Sequence, residues 1–344
     1  MNKYLVIIYL SIMAAFLVII QIGIRHPMNP ADMAGTQGTR NDEKFELMAV
    51  KQRREQEKMQ KAVLAVKQAQ PNAEYDTMVY IPPGSFMLGN AHGQNSEKPV
   101  RQIVLSGYWI DKYEAPMAQY YAFIAATGHR EPRLAGYLAL ASVDLSTLMA
   151  PNKPAVGVSW EDARAYCEWK GKRLPTEAEW EKAAKGQGQR QWPWGDAPNA
   201  MLANLDGGED QFQGTAPVDG FPAGQSPYGL FNMTGNAMEW VNDWYDEQYY
   251  KFMPPSNPPG PSIGDEKVVR GGSWHDSLRY AHTYSRFKMF PEYRDATIGF
   301  RCARSKSEAP TTKLEATPIW AGLKSKTDNV STRNAVMKKS SSLR

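Results

Sequence analysis

Cysteine is scarce in this chain of 344 residues: Cys167 and Cys302 are the only two. No cysteine follows the apolar N-terminal run, which excludes a lipid-anchored cysteine there. The pair admits two readings, small buried hydrophobes or, in an oxidising compartment, partners in one disulfide. Charge of one sign is scarce too. The formal net charge is +4, too small to point to nucleic acid as a partner. Internal repeats are absent, and past residue 186 regular periodicity fades. What the chain has in quantity is tryptophan, tyrosine, glycine and proline. That mix suits a loop-rich domain whose core is built on aromatic rings rather than long helices.

Residues 5–24 are almost continuously apolar, long enough to span a bilayer as a helix. Lys3 precedes the run, and Arg25 and His26 follow it. With no small-x-small site after the run, residues 1–26 read as an uncleaved anchor, with a cleaved signal as the alternative. Either way, the bulk of the chain belongs outside the cytoplasm, on the periplasmic side of the inner membrane if the source is bacterial. Residues 27–75 combine a Pro- and Gly-containing linker with a charged stretch from Asp42 to Gln70. Good helix formers predict a helix there, ended by Pro71 and serving as a solvated spacer.

Strands are expected at 78–81, at 85–89, and across 100–110 around Ser106-Gly107. Residues 117–126 read as a helix stopped by Gly128, and residues 130–155 as an insertion. Ser159-Trp-Glu-Asp162 and Thr176-Glu-Ala-Glu179 carry the capping-box pattern and open two further helices. Residues 305–344 are Ser-, Thr- and Lys-rich and read as a disordered basic tail.

Chemistry concentrates in residues 269–304. Arg270-Gly-Gly-Ser273 is a turn motif, with Trp274, His275 and Asp276 directly after it. His275, Asp276 and His282 offer the two imidazoles and a carboxylate that non-haem iron uses. Adjacent residues on an extended segment face opposite ways, however, which works against joint ligation by His275 and Asp276. The plainer reading makes Asp276 and Arg279 a hydrogen-bonded polar floor, with Ser273 satisfying the turn. Trp274, Tyr280 and Tyr284, with Phe287, then line a ligand groove beside Arg279.

A series of blocks in fixed order resembles the formylglycine-generating enzyme family, the sulfatase-modifying factor domain. They are Ile81-Pro-Pro-Gly-Ser-Phe-Met-Leu-Gly89, Tyr108-Trp-Ile-Asp-Lys-Tyr-Glu114, Gly157-Val-Ser-Trp160 and Ala165-Tyr-Cys167. Gly171-Lys-Arg-Leu-Pro-Thr-Glu-Ala-Glu-Trp180, Asn232-Met-Thr-Gly-Asn-Ala-Met-Glu-Trp240, Arg270-Gly-Gly-Ser-Trp274 and Gly299-Phe-Arg-Cys302 complete the set. The resemblance covers residues 76–304. It implies an α+β fold, related to C-type lectins and poor in regular secondary structure.

The resemblance further implies that Cys167 and Cys302 form a disulfide. It implies calcium held by the side chains of Asn204 and Asp210 with the carbonyls of Leu205 and Phe212. A second calcium set maps to Asn232, Gly235, Ala237 and Glu239. The family's copper site needs one cysteine three residues after the serine of Gly-Gly-Ser and another five residues later. Those positions are Asp276 and Ala281, so copper-thiolate chemistry is not expected. Two functional classes follow. One is a membrane-anchored extracytoplasmic accessory or maturation factor that binds a peptide, a protein or a small molecule. The other is an oxidoreductase without the cysteine pair, as in the family's pyoverdine-maturation branch, for which Ser273, His275, Asp276 and His282 are the candidate residues and iron a candidate cofactor. A true formylglycine generator ranks last.

Overall fold

The computed structural model describes residues 37–134, 143–207 and 210–306. The apolar run at 5–24, residues 307–344 of the expected tail, residues 135–142 of the expected insertion and Glu209 lie outside it. Among the described residues, no helix is long and apolar enough to cross a membrane.

The first helix, α1 (Gln37–Gln68), starts earlier than its charge pattern predicts and stops before Pro71. From Lys44 to Lys58 it is solvated, with Phe45 and Leu47 each 71% exposed. Its second half is no spacer. Val66 is fully buried, and Met59, Ala62 and Val63 pack against the main core. Lys58 and Lys67 bridge to Asp144 and Glu131 on the domain.

Among the described residues, nine short strands build three sheets. β1 (Met78–Ile81), β4 (Tyr108–Asp111) and β9 (Ala303–Ser305) form an antiparallel sheet centred on β4. β2 (Gly84–Leu88) and β3 (Arg101–Leu105) pair as a ribbon. The stretch expected as strand over 100–110 is therefore two strands, broken at Ser106-Gly107. The third sheet has the order β7 (Phe287–Met289), β6 (Lys267–Arg270), β5 (Met238–Trp244), β8 (Ile298–Phe300), with β5 and β8 parallel. In β5, Met238 to Val241 are buried without interruption, as a strand covered on both faces requires.

The main helices flank these sheets: α2 (Met117–Thr127), α3 (Trp160–Trp169) and α4 (Glu177–Lys185), with one short turn of helix, α5 (Tyr249–Phe252), further on. α2 ends on Gly128 in the left-handed region. Both predicted capping boxes form: Ser159 with Asp162 opens α3, and Thr176 with Glu179 opens α4. Each satisfies amide groups that the first helical turn leaves without partners.

The core is aromatic. Tyr120, Phe123, Tyr166 and Phe300 meet around α2, α3 and β8, edge-on or tilted except for Tyr120 and Tyr166, which stack. Cys167 on α3 and Cys302 just before β9 are fully buried in that cluster and joined by a disulfide across a sequence separation of 135. α4 carries charge inward: Glu181 and Lys185 are wholly buried, one turn apart, and in contact.

Candidate functional site

Arg270, the last residue of β6, is fully buried and acts as a clamp. Its guanidinium donates to the carbonyls of Thr283 (3.0 Å), Tyr284 (3.1 Å) and Ser285 (2.6 Å). It also pairs with Glu181. The chain from Gly271 to His282 is thus a loop whose two ends are held together by one arginine. That function was not legible in the motif. A buried arginine is rare unless paired, and its partner lies 89 positions away.

Inside the loop, Gly271 and Gly272 take φ values of +92° and +72°. A side chain on Gly272 would sit 2.8 Å from the Ala281 Cβ, so these two positions are in direct contact. Ala281 is buried among Ala203, Leu205, Trp194 and Leu278. Asp276 turns back on the loop: one carboxylate oxygen accepts from both the backbone N–H (2.8 Å) and the hydroxyl (2.6 Å) of Ser273. The two positions where the family places sulfur are therefore a turn-closing carboxylate and a buried methyl group.

The expected iron set is not gathered. His275 is exposed and meets the edge of Trp274. His282 lies parallel to Tyr284 at 4.8 Å and tilted against Trp192 at 5.1 Å. Burial holds its imidazole below the ordinary value, so it is neutral near pH 7. Among the described residues, no three His, Cys, Asp or Glu side chains form a group able to hold a metal ion.

The expected groove residues also part company. Trp274 is a core residue whose indole N–H donates to Ala296 O. Arg279 and Tyr280 stand exposed on the loop tip, with the guanidinium over the ring. Phe287 is half-buried in β7. Tyr284 lines a sizeable cavity, of about 740 Å³, together with Met87, Asn90, His92, Gln191 and Asp196. Burial, then the charges of Glu97 and Asp196, push its phenol up to about 12, so it stays protonated and able to donate.

The calcium residues divide into two cases. The Asn204 amide nitrogen donates to Gly214 O and Asn236 Oδ1, which fixes the side chain and leaves its Oδ1 buried with no partner. Asp210 lies beside it, accepting from the amides of Leu205 and Phe212. A buried acceptor oxygen facing no N–H, in the same loop as a carboxylate, suits a hard cation. In the second set, Asn232 Oδ1 is likewise buried and unpartnered, and its amide donates to Glu114. The Glu239 carboxylate, however, is taken: Arg301 grips it with two bonds of 2.7 Å, and Trp180 donates to it at 2.8 Å. Gly235 packs against Asn204 O, and Ala237 N donates to Glu114. Glu114, the one other carboxyl there, is pushed up to about 8 by burial, then by the charge of Glu239. The first set fits a calcium ion; the second has its acidic member already neutralised.

Residues 63–306 match the sulfatase-modifying factor enzyme 1-like domain. The formylglycine-generating enzyme of Mus musculus is 34% identical over 279 residues, which is 66% of this chain and 74% of the mouse protein. The inactive C-alpha-formylglycine-generating enzyme 2 of Bos taurus is 30% identical over 291 residues, 70% of this chain and 91% of the bovine one. Among solved structures, PvdO from Pseudomonas aeruginosa superposes with a TM-score of 0.59 at 25% identity, over 69% of this chain and 97% of that one.

Proposed function

Because the chain belongs to the sulfatase-modifying factor enzyme 1-like family, as its match over residues 63–306 shows, we propose that it uses that fold for binding rather than for copper-dependent oxidation. It is an extracytoplasmic accessory or maturation factor whose domain takes a peptide, a protein segment or a small molecule. One observation carries this reading: Asp276 is bonded to Ser273, and Ala281 is packed on Gly272. Neither offers a soft ligand, and copper(I) needs sulfur. The similarity to an inactive relative supports the same direction. The cavity beside Tyr284 is the ligand seat this reading favours, because it offers a protonated phenol, amides and a carboxylate with room for several residues of a peptide.

Calcium is the one metal the proposal includes. Asn204 Oδ1 and the Asp210 carboxylate would hold it, with the carbonyls of Leu205 and Phe212. When bound, it would tie the loop around 204–212 without taking part in a reaction. Metal analysis of the purified chain tests both halves of the reading. We expect about one calcium per chain and no stoichiometric copper or iron. Chelation should lower the melting temperature, and Asp210→Ala should remove that response. Stoichiometric copper or iron, or oxygen consumption in the presence of a thiol peptide, would sink the binding-only reading. A melting temperature indifferent to chelator would sink the calcium.

The anchor is part of the same proposal. Residues 5–24 would hold the domain at a membrane, and the disulfide supports an oxidising compartment on its far side. Full-length protein should stay with membranes through alkaline extraction, and a variant lacking residues 5–24 should be released. Release of the full-length protein under those conditions would contradict the anchor.

A further inference from the structure

Away from the loop at 271–282, three segments meet beside the start of α3. Arg133 N donates to Gly157 O (2.8 Å), and Gly157 N donates to Asp295 O (2.9 Å). Trp160 N donates to Pro291 O (2.9 Å). These bonds bring the loop after α2, the cap of α3 and the turn at 291–295 onto one face. That face carries His129, Arg130, Arg133 and Arg294.

Three of its carboxylates, Asp162, Asp295 and Glu131, already have partners. Asp162 receives Arg130 through two bonds (2.7 and 3.0 Å), His129 at 2.8 Å, and the Ser159 amide at 2.9 Å. Asp295 receives the amide and hydroxyl of Thr297. Glu131 pairs with Lys67. Glu161 is near enough to act on the charge of Arg130, and Glu292 is exposed and bonded to none of the arginines. No carboxylate or hydrogen-bond acceptor among the described residues takes the guanidinium groups of Arg133 or Arg294. Arg294 is half-buried, and it is held below the ordinary arginine range by burial first and then by Arg130; Asp162 acts in the opposite sense, and Arg133 adds a smaller lowering. The third observation is a hydroxyl. Tyr120 is 0% exposed, its OH has no partner, and the charged groups it feels are Asp162, Arg130 and Arg294.

We propose that Arg130, Arg133 and Arg294, with His129, form a seat for a phosphate-class oxyanion. Like charges gathered beside a saturated carboxylate repel one another unless an anion sits between them. The guanidinium forks of Arg133 and Arg294 match the tetrahedral oxygens of phosphate and can each donate two bonds, while Arg130, held by Asp162 and Ser159 through its Nε and one terminal nitrogen, has its other terminal nitrogen left to donate. The positions are independent of the Tyr284 cavity and of the calcium residues, so the proposal stands apart from the binding function assigned above.

Calorimetric titration of the full-length protein with inorganic phosphate, at ionic strength held constant with chloride, tests it. We expect saturable binding and a rise in melting temperature that chloride does not reproduce. Arg294→Gln should weaken the affinity at least tenfold. Arg133→Gln, an exposed position that carries no packing, should do the same if Arg294→Gln fails to fold. O-phosphoserine and glycerol 3-phosphate are titrated beside phosphate: tighter binding of the first assigns the seat to a phosphorylated protein segment, and of the second to a lipid headgroup. Either result supports the seat. No saturable binding beyond the chloride control, or equal phosphate affinity in the native protein and Arg133→Gln, overturns it.

Discussion

Replacing Glu181 with leucine should destabilise the protein by about 3–5 kcal/mol, more than any single surface change. Glu181 is wholly buried and meets two buried cations: Lys185 at 2.6 Å and the Arg270 guanidinium. One carboxylate oxygen also takes the Gly89 amide at 2.7 Å. Burial alone would raise the carboxyl. Lys185 and Arg270 together outweigh it and hold the group below the ordinary carboxylate range. Removing the anion leaves Lys185 with only carbonyls as hydrogen-bond partners, and Arg270 with carbonyls and the more distant Glu177 carboxylate at 3.5 Å, in a low-dielectric interior. That is the case in which breaking a buried pair costs most. Glu181→Gln keeps acceptor capacity and should lose less. Urea unfolding measures both, as a fall in midpoint at constant slope. The loss should also reach the candidate site, because Arg270 clamps the carbonyls of 283–285. Amides at 282–286 should exchange faster in Glu181→Leu than those in β1 or β4. A midpoint shift worth under about 1 kcal/mol would show that the network contributes little net stability, as some buried ion pairs do.

The amino-acid sequence was a good guide where order is local. The capping pairs Ser159–Asp162 and Thr176–Glu179 sit three residues apart, and each names its helix start without reference to the rest of the chain. The stop at Gly128 is local in the same way. The fold family was legible because many short blocks keep one order. The site was less so. Between 270 and 300 there is little regular period, so nothing in the pattern separates a wall residue from a core residue. Trp274 has the composition of a groove residue, yet its indole N–H is used up on Ala296 O. Arg270, Glu181, Arg301 and Glu239 read as surface charges by type. Their burial follows from partners 89 and 62 positions apart. The docking of α1 was hidden for another reason: Met59, Ala62, Val63 and Val66 share one face, but the charged residues around them dilute the stripe.

The second large effect belongs to the disulfide. The double variant Cys167→Ala/Cys302→Ala should lose about 2–4 kcal/mol, the usual range for a native bridge closing a long loop. Chain entropy alone would put the figure above that range, at about 5 kcal/mol, for a separation of 135. Non-covalent contacts at the same junction work against so large a loss. The Cys302 amide donates to Asp111, whose carboxylate also holds Lys172 at 2.6 Å. Arg173 and Ala303 exchange two backbone bonds, and Tyr166 meets Phe300 edge-on at 5.2 Å. The last strand therefore stays in register without the covalent tie, and the variant should fold. What it loses is constraint on the unfolded chain, so two signatures should accompany the lower midpoint. The denaturant slope should rise, because a longer chain is exposed on unfolding. Refolding should slow more than unfolding accelerates, because the closed loop no longer shortens the search. Thiol counting gives the covalent control: the unfolded, unreduced native chain should show no reactive thiol. Two thiols in that assay would remove the bridge. An unchanged slope with faster unfolding would place the bridge's contribution in native packing around the two buried sulfurs instead.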